Sequence, residues 1–239
     1  MGRAFQNRKA SMAARSDWMA KAFTRIGRDI ALAVRAGGGN PEANPTLRRI
    51  IQNARAANMP KDKVESAIKR AAGQGAEQFD EVIYEGYAPH GIAVIVETAT
   101  NNPTRTVANV RNHFNRKNGT LGNSGSVSFL FKRMGVLKIA REGVDRDSLE
   151  LQLIDFGLED FLEDESDKGP IYVLRSGFTD FSHLAHAVEE RGITMISAEV
   201  EWVPHTTIEL PDDQVNEVLE LVERLEGDDD VQRVFLNLA

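Results

Sequence analysis

Between Tyr84 and Phe131 the chain carries half of a sheet that cannot close on itself. Ile92, Ala93, Val94, Ile95 and Val96 form an apolar, β-branched run inside Gly91–Thr98, which predicts a buried strand. Asn101-Asn102-Pro103 then supplies a helix cap with proline at the first helical position. Val107, Val110 and Phe114 follow at helical spacing, leaving Arg105, Arg111 and Lys117 for other faces. Beyond a Gly-rich loop, the alternation of Val127, Phe129 and Phe131 predicts a second strand. One β-α-β unit cannot cover its own sheet, so the missing half must come from elsewhere in the chain.

The C-terminal segment supplies a matching piece. Thr206–Leu210 reads as a strand, and Pro211-Asp212-Asp213 opens a helix with Val215, Val218, Leu219, Val222 and Leu225 inward. Gly227 ends that helix, and Val231–Leu236 reads as a final strand. Between the two halves lies a complete set. It comprises a strand at Val136–Ile139, a helix over Asp147–Phe156, a hairpin of Leu158–Glu165 with Pro170–Arg175, a helix capped by Thr179 or Asp180, and a strand over Ile193–Val203. That order is β-α-β-β-α-β, the split, ferredoxin-like arrangement, and it closes its own sheet. The expected fold is therefore α+β: a helical domain at 1–78, a discontinuous ferredoxin-like domain at 79–133 plus 205–239, and an inserted acidic ferredoxin-like domain at 134–204. The rival layout packs the C-terminal piece on the inserted domain instead.

The first 75 residues read as helices. Residues 1–16 are basic, either a helix docked through Phe5 and Met12 or an arm that orders on a partner. Met19, Phe23, Ile26, Ile30, Ala33 and Val34 make one stripe within Asp17–Ala36, and Gly37-Gly38-Gly39 ends it. Asn44-Pro45 and Met59-Pro60 open two shorter helices. A helix-turn-helix and a plain αα-hairpin both fit that pair.

Charge is divided along the chain. Residues 1–75 hold 15 Lys and Arg against 5 Asp and Glu, a net of +10, whereas the whole chain is −7. A basic block of this density is the electrostatic footprint of a nucleic-acid-binding surface. The residues expected to carry it are Arg48, Arg49, Arg55, Lys61, Lys63, Lys69 and Arg70, with Arg3, Arg8 and Lys9 as an arm. The acidic remainder has two uses: to meet basic proteins, or to keep the body off the nucleic acid. There is no cysteine, which excludes disulfides, thiol nucleophiles and thiolate metal sites. No apolar run is long enough to span a membrane, and the opening residues lack a signal core, so the expected compartment is the cytoplasm.

The sharpest local feature outside the basic block is Asn118–Ser126. Gly119, Gly122 and Gly125 free backbone N–H groups to face an anion, and Thr120, Asn123, Ser124 and Ser126 add side-chain donors. No Gly-Lys-Ser/Thr follows, so this is not a nucleotide P-loop. It is either a contact to a nucleic-acid backbone or a helix-to-strand turn that needs positive φ. His183, His186, Glu189 and Glu190 share one helix but read as surface residues before metal ligands. The acidic run Glu159, Asp160, Glu163, Asp164, Glu165 and Asp167 lacks the EF-hand pattern, and Asp228-Asp229-Asp230 reads as a turn. No catalytic triad or paired-carboxylate signature is present, so neither an enzyme nor a cofactor is expected.

Two phrases carry a family resemblance: GGGNPEANPTLRRIIQNARAANMPKDKVESAIKRAAG (37–73) and YEGYAPHGIAVIVETATNNPTRTVANVRNHFNRKNGTLGNSGSVSFLF (84–131). They resemble the YebC/PmpR family, and the match covers essentially the whole chain. The opening keeps the family's glycine, an aromatic and the Arg8-Lys9 pair, but not its Gly-His-Ser-Lys-Trp start. The resemblance implies a helical N-terminal domain, a discontinuous α/β domain and an inserted one. It also implies a regulator of gene expression. Bacterial members are described as promoter-binding transcriptional regulators. Mitochondrial members are translational activators of a cytochrome oxidase subunit, and some bacterial members are linked to ribosomes stalled on proline-rich sequences; together they imply the alternative of a translation factor that contacts ribosomal RNA or tRNA on the ribosome and relieves such stalling.

Overall fold

A computed structural model describes residues 3–166 and 169–239, with side chains described from Met19 onward. Helix α1 (Arg3–Gly37) is one continuous helix of 35 residues. No proline or glycine interrupts it before Gly27, and its many alanines favour helix, so the N-terminal arm and the Asp17–Ala36 helix are a single element. The docking expected of Phe5 and Met12 lies outside the described side chains. Gly38 takes φ +82° and ends α1.

Asn44 fixes the next turn. Its Oδ1 accepts the Leu47 N–H at 3.0 Å, while its Nδ2 donates to the Ala33 carbonyl at 2.8 Å and the Gly38 carbonyl at 2.9 Å. One buried side chain thereby caps α2 (Pro45–Ala56) and satisfies carbonyls at the end of α1. Helix α3 (Lys61–Ala72) follows. Ile30, Ala33, Val34, Leu47, Ala54, Met59 and Val64 are the core that the three helices share.

The remaining elements run β1 (Asp80–Tyr87), β2 (Ala93–Thr100), α4 (Pro103–Arg116), β3 (Thr120–Leu121), β4 (Phe131–Ala140), α5 (Arg146–Leu153), β5 (Leu158–Ser166), β6 (Gly169–Gly177), α6 (Phe181–Glu190), β7 (Met195–Pro204), α7 (Asp212–Glu226) and β8 (Val231–Leu236). They build two four-stranded sheets, so the fold is α+β as the sequence implies. The chain divides into two compact units. One holds residues 1–82, 97–109 and 224–233; the other holds 83–96, 110–223 and 234–239.

The second sheet runs β5-β6-β4-β7 with antiparallel pairing throughout, the ferredoxin-like order for β-α-β-β-α-β. Leu137, Ile139, Leu153, Leu174, Leu184 and Val188 fill its core, each worth about 1.5–3 kcal/mol of burial. Its β5–β6 turn passes through Asp167 and Lys168, which lie outside the described residues.

The first sheet runs β3-β1-β2-β8. Here the structure corrects two expectations. Thr206–Leu210 is not a strand: it makes a single isolated bridge, Ile208 to Leu238. Its slot beside β2 is filled by β1, so the ferredoxin-like order is completed from the N-terminal side. Nor do Val127–Phe131 form a strand. Ser128–Leu130 make a 3₁₀ turn and Phe131 opens β4 of the other sheet. The N–H groups of Val127 and Ser128 are bonded to the Glu85 carboxylate and so are withheld from any ladder.

Candidate nucleic-acid interface

Each helix of the basic block has an apolar face turned to the shared core and cations elsewhere. On α2, Arg48 and Arg55 are seven positions apart, two turns along one side. On α3, Lys63 and Arg70 repeat that spacing, whereas Lys61 and Lys69 fall on other sides of the helix. Lys61 stands 3.7 Å from Glu65, and the Lys63 ammonium lies 5.2 Å from the centroid of the Phe23 ring. Burial, and then the charge of Arg48, hold the Arg49 pKa below its ordinary value. Arg48, Arg55, Lys69 and Arg70 have no carboxylate partner among the described residues. Arg3, Arg8 and Lys9 fall on the first turns of α1, and their side chains lie outside the described ones.

Other cations of the block are spent on the protein itself. Arg25, Arg28 and Asp29 stand at i, i+3 and i+4, a polar stripe on α1 distinct from its apolar one. Arg25 donates to the Glu226 carbonyl at 2.7 Å. Arg28 donates to the carbonyls of Ala99 and Asp229, and its Nη2 lies 3.3 Å from Asp230 Oδ1. Asp29 pairs with Arg233 at 3.1 Å, and Arg233 reaches Glu97 at 3.5 Å. Arg35 donates to the Phe79 carbonyl at 2.8 Å.

Asp230 is the centre of this cluster. Only 3% of it is exposed, yet its carboxylate is fully engaged. Arg105 Nη2 donates at 2.8 Å, Thr106 Oγ1 at 2.7 Å and Thr100 Oγ1 at 3.2 Å. Burial pushes its pKa up, but the hydrogen bonds from Arg105 and Thr106 and the charges of Arg105 and Arg28 outweigh it, so the net shift is downward. The Arg105 pKa is raised in return, first by its hydrogen bond to Asp230.

The Gly-rich loop does bind an anion, and the anion is the protein's own. Glu85 on β1 accepts the N–H of Gly125 on Oε1 and those of Val127 and Ser128 on Oε2, each at 2.8 Å. Its carbonyl accepts the Gly122 N–H at 2.8 Å. Burial raises the Glu85 pKa, but the three backbone donors outweigh it and leave the carboxyl below its ordinary value. Tyr87 Oη donates to the Ser126 carbonyl at 3.2 Å, and Ser126 N–H to the Asn123 carbonyl at 3.1 Å. Thr120 sits in β3, opposite Tyr87. Gly122 is held close: a Cβ there would lie 2.4 Å from Ser126 Oγ. The side chains of Asn123 and Ser124 are left at the exposed tip.

Sequence reasoning passed over Glu85 and treated Asp230 as part of a turn. A loop with three glycines has a surplus of N–H donors, and the lone Glu85 beside Gly86 was the acceptor to look for. Asp230 offered no signal, because the two residues before it are also aspartates. His186 stands 3.5 Å from Glu190 as a helical pair, and no group of three His, Asp or Glu gathers as metal ligands among the described residues. Among those residues no helix is long and apolar enough to cross a membrane.

Comparison with known proteins covers nearly the whole chain. Residues 3–74 match the model of the TACO1/YebC protein N-terminal domain, and residues 79–238 match that of the TACO1/YebC second and third domain. A probable transcriptional regulatory protein of Myxococcus xanthus is 60% identical over 240 residues, covering all of both chains. A probable transcriptional regulatory protein of Cytophaga hutchinsonii is 50% identical, over all of this chain and 99% of its own. The crystal structure of a conserved hypothetical protein from Aquifex aeolicus superposes with a TM-score of 0.82 at 37% identity, over 92% of this chain and 90% of that one.

Proposed function

The chain belongs to the TACO1/YebC family, and from that premise we propose that it is a non-catalytic regulator of gene expression that grips nucleic acid by the phosphate backbone. The observation that carries this reading is the split among its N-terminal cations. Arg25, Arg28 and Arg35 are engaged by the protein's own carbonyls and carboxylates, whereas Arg48, Arg55, Lys69 and Arg70 on α2 and α3 have no carboxylate partner among the described residues. Unpaired guanidinium and ammonium groups on short helices suit phosphate oxygens and release counterions on binding. The names of the relatives, probable transcriptional regulatory protein, support duplex DNA in the cytoplasm as the partner. Non-catalytic action is supported by the two perturbed carboxylates. Glu85 and Asp230 both spend their oxygens on internal donors, which leaves neither as a general base.

The test is fluorescence anisotropy of the full chain with labelled duplex DNA across a salt series. A steep logarithmic loss of affinity with salt, reduced in Arg48→Ala/Arg55→Ala/Lys69→Ala/Arg70→Ala, is the expected result; a flat dependence overturns the reading. Sedimentation of cell lysate with nuclease treatment identifies the partner. Release by DNase agrees with DNA. Release from ribosomal fractions by RNase alone replaces DNA with ribosomal RNA.

A further inference from the structure

From Thr98 to Arg141 the sequence holds eight Lys and Arg and no Asp or Glu, inside a chain of net charge −7. Along this stretch α4, the Gly-rich loop and the start of β4 follow one another in sequence. Arg111 is exposed, with no ion pair among the described residues, and exposed Arg116 bonds only the neutral Asn112 at 3.0 Å. The Arg133 guanidinium lies 4.7 Å from the Phe178 ring centroid and 5.9 Å from that of Trp202. Cations and aromatics interleave here without a carboxylate in the run, although Arg105, Lys117, Lys132, Lys138 and Arg141 pair with Asp230, Glu220, Glu159, Glu201 and Glu163 of other elements.

Phe129 stands at the middle of that stretch and is 67% exposed. Its backbone, in contrast, is fixed on both sides. Val127 and Ser128 donate to Glu85 Oε2, Leu130 N–H donates to the Val127 carbonyl at 2.9 Å, and His205 N–H to the Leu130 carbonyl at 2.9 Å. The neighbouring loop tip offers only the small side chains of Asn123 and Ser124. A phenyl ring held out from a rigid backbone, inside a run of cations, suits a flat π-face.

We propose that Phe129 is a stacking residue for an unpaired base of a single-stranded nucleic-acid segment, held in position by the clasp of Glu85 on the Gly-rich loop. The inference rests on the nucleic-acid reading above and adds a second contact of different chemistry. Phosphates bound by α2 and α3 carry affinity without regard to strandedness. A base stacks on Phe129 only when it is out of a duplex.

The experiment uses the full chain, a labelled single-stranded oligonucleotide about 15 nucleotides long (RNA, then DNA) and the blunt duplex of the same sequence, at low salt. Phe129→Ala is expected to weaken single-strand binding about fivefold or more while leaving duplex binding and its salt dependence unchanged. Phe129→Tyr, which keeps the ring, retains the wild-type affinity. In Phe129→Trp the emission is quenched by the single strand and not by the duplex. Equal loss of both ligands in Phe129→Ala overturns the proposal, and so does no loss of either, which gives the ring to a protein partner. Wild-type binding to the duplex alone overturns this inference and leaves the phosphate-grip reading standing. No binding to any nucleic acid at low salt overturns both.

Discussion

Arg28 and Asp230, 202 positions apart in sequence, meet with Nη2 3.3 Å from Oδ1, and neither side chain has more than 15% of its surface exposed. The pair ties α1 to the turn before β8. Removing the carboxylate in Asp230→Ala strands Arg28, Thr100 and Thr106 without their acceptor. The expected loss is about 3 kcal/mol, read as a lower urea midpoint at unchanged slope.

The same carboxylate and that of Glu85 set a pH dependence. Both are held below their ordinary values when folded, so the unfolded chain binds more protons at acid pH. Their stabilisation is fully present above the unfolded values of about 4 and is lost as pH falls through the lower folded ones. Denaturation midpoints measured from neutral pH down to about pH 3 should therefore fall, and Glu85→Gln should flatten part of that slope.

Cations on the two sides of the basic block should behave differently. Replacing Arg48, Arg55, Lys69 and Arg70 together should lower the slope of log affinity against log salt by about 3.6 on duplex DNA, with stability nearly unchanged. Arg28→Ala should do the reverse. It lowers the unfolding midpoint and leaves the salt slope within about one unit of wild type.

Gly135 makes a packing test. A Cβ built there lies 2.3 Å from the Phe181 ring, with its Cγ at 2.5 Å, so β4 and α6 meet ring against backbone. Gly135→Ala is expected to destabilise by about 2 kcal/mol, since a buried ring in a packed core has little room to move. Thermal unfolding reads it, and Phe181→Leu in the same chain should recover part of the loss.

The regular elements were legible because each rests on local chemistry. Asn44-Pro45 starts α2, Asn102-Pro103 starts α4, and Val94, Ile95 and Val96 make β2. The hairpin of β5 and β6 showed as two runs around a turn. What the sequence hid is long-range. Glu85 binds Gly125 across 40 positions, and Asp230 binds Arg105 across 125. The first of these helps to make Val127–Phe131 a mount instead of a strand, and bonds of similar reach to Glu226, Asp230 and Phe79 turn Arg25, Arg28 and Arg35 of the basic block to the fold. Alternation of Val127, Phe129 and Phe131 was a true pattern with the wrong cause: Val127 and Phe131 are buried, while Phe129 points outward from a 3₁₀ turn.

Because β1 fills the slot that Thr206–Leu210 leaves empty, the order of pairing follows the order of synthesis. β1, β2 and β3 are all synthesised before the insertion, and in the sheet β1 lies between the other two. β8 arrives last and joins at the outer edge of β2, so no finished pairing has to reopen to admit it. The insertion delays closure of the sheet by about a hundred residues of translation, and it delays only an edge.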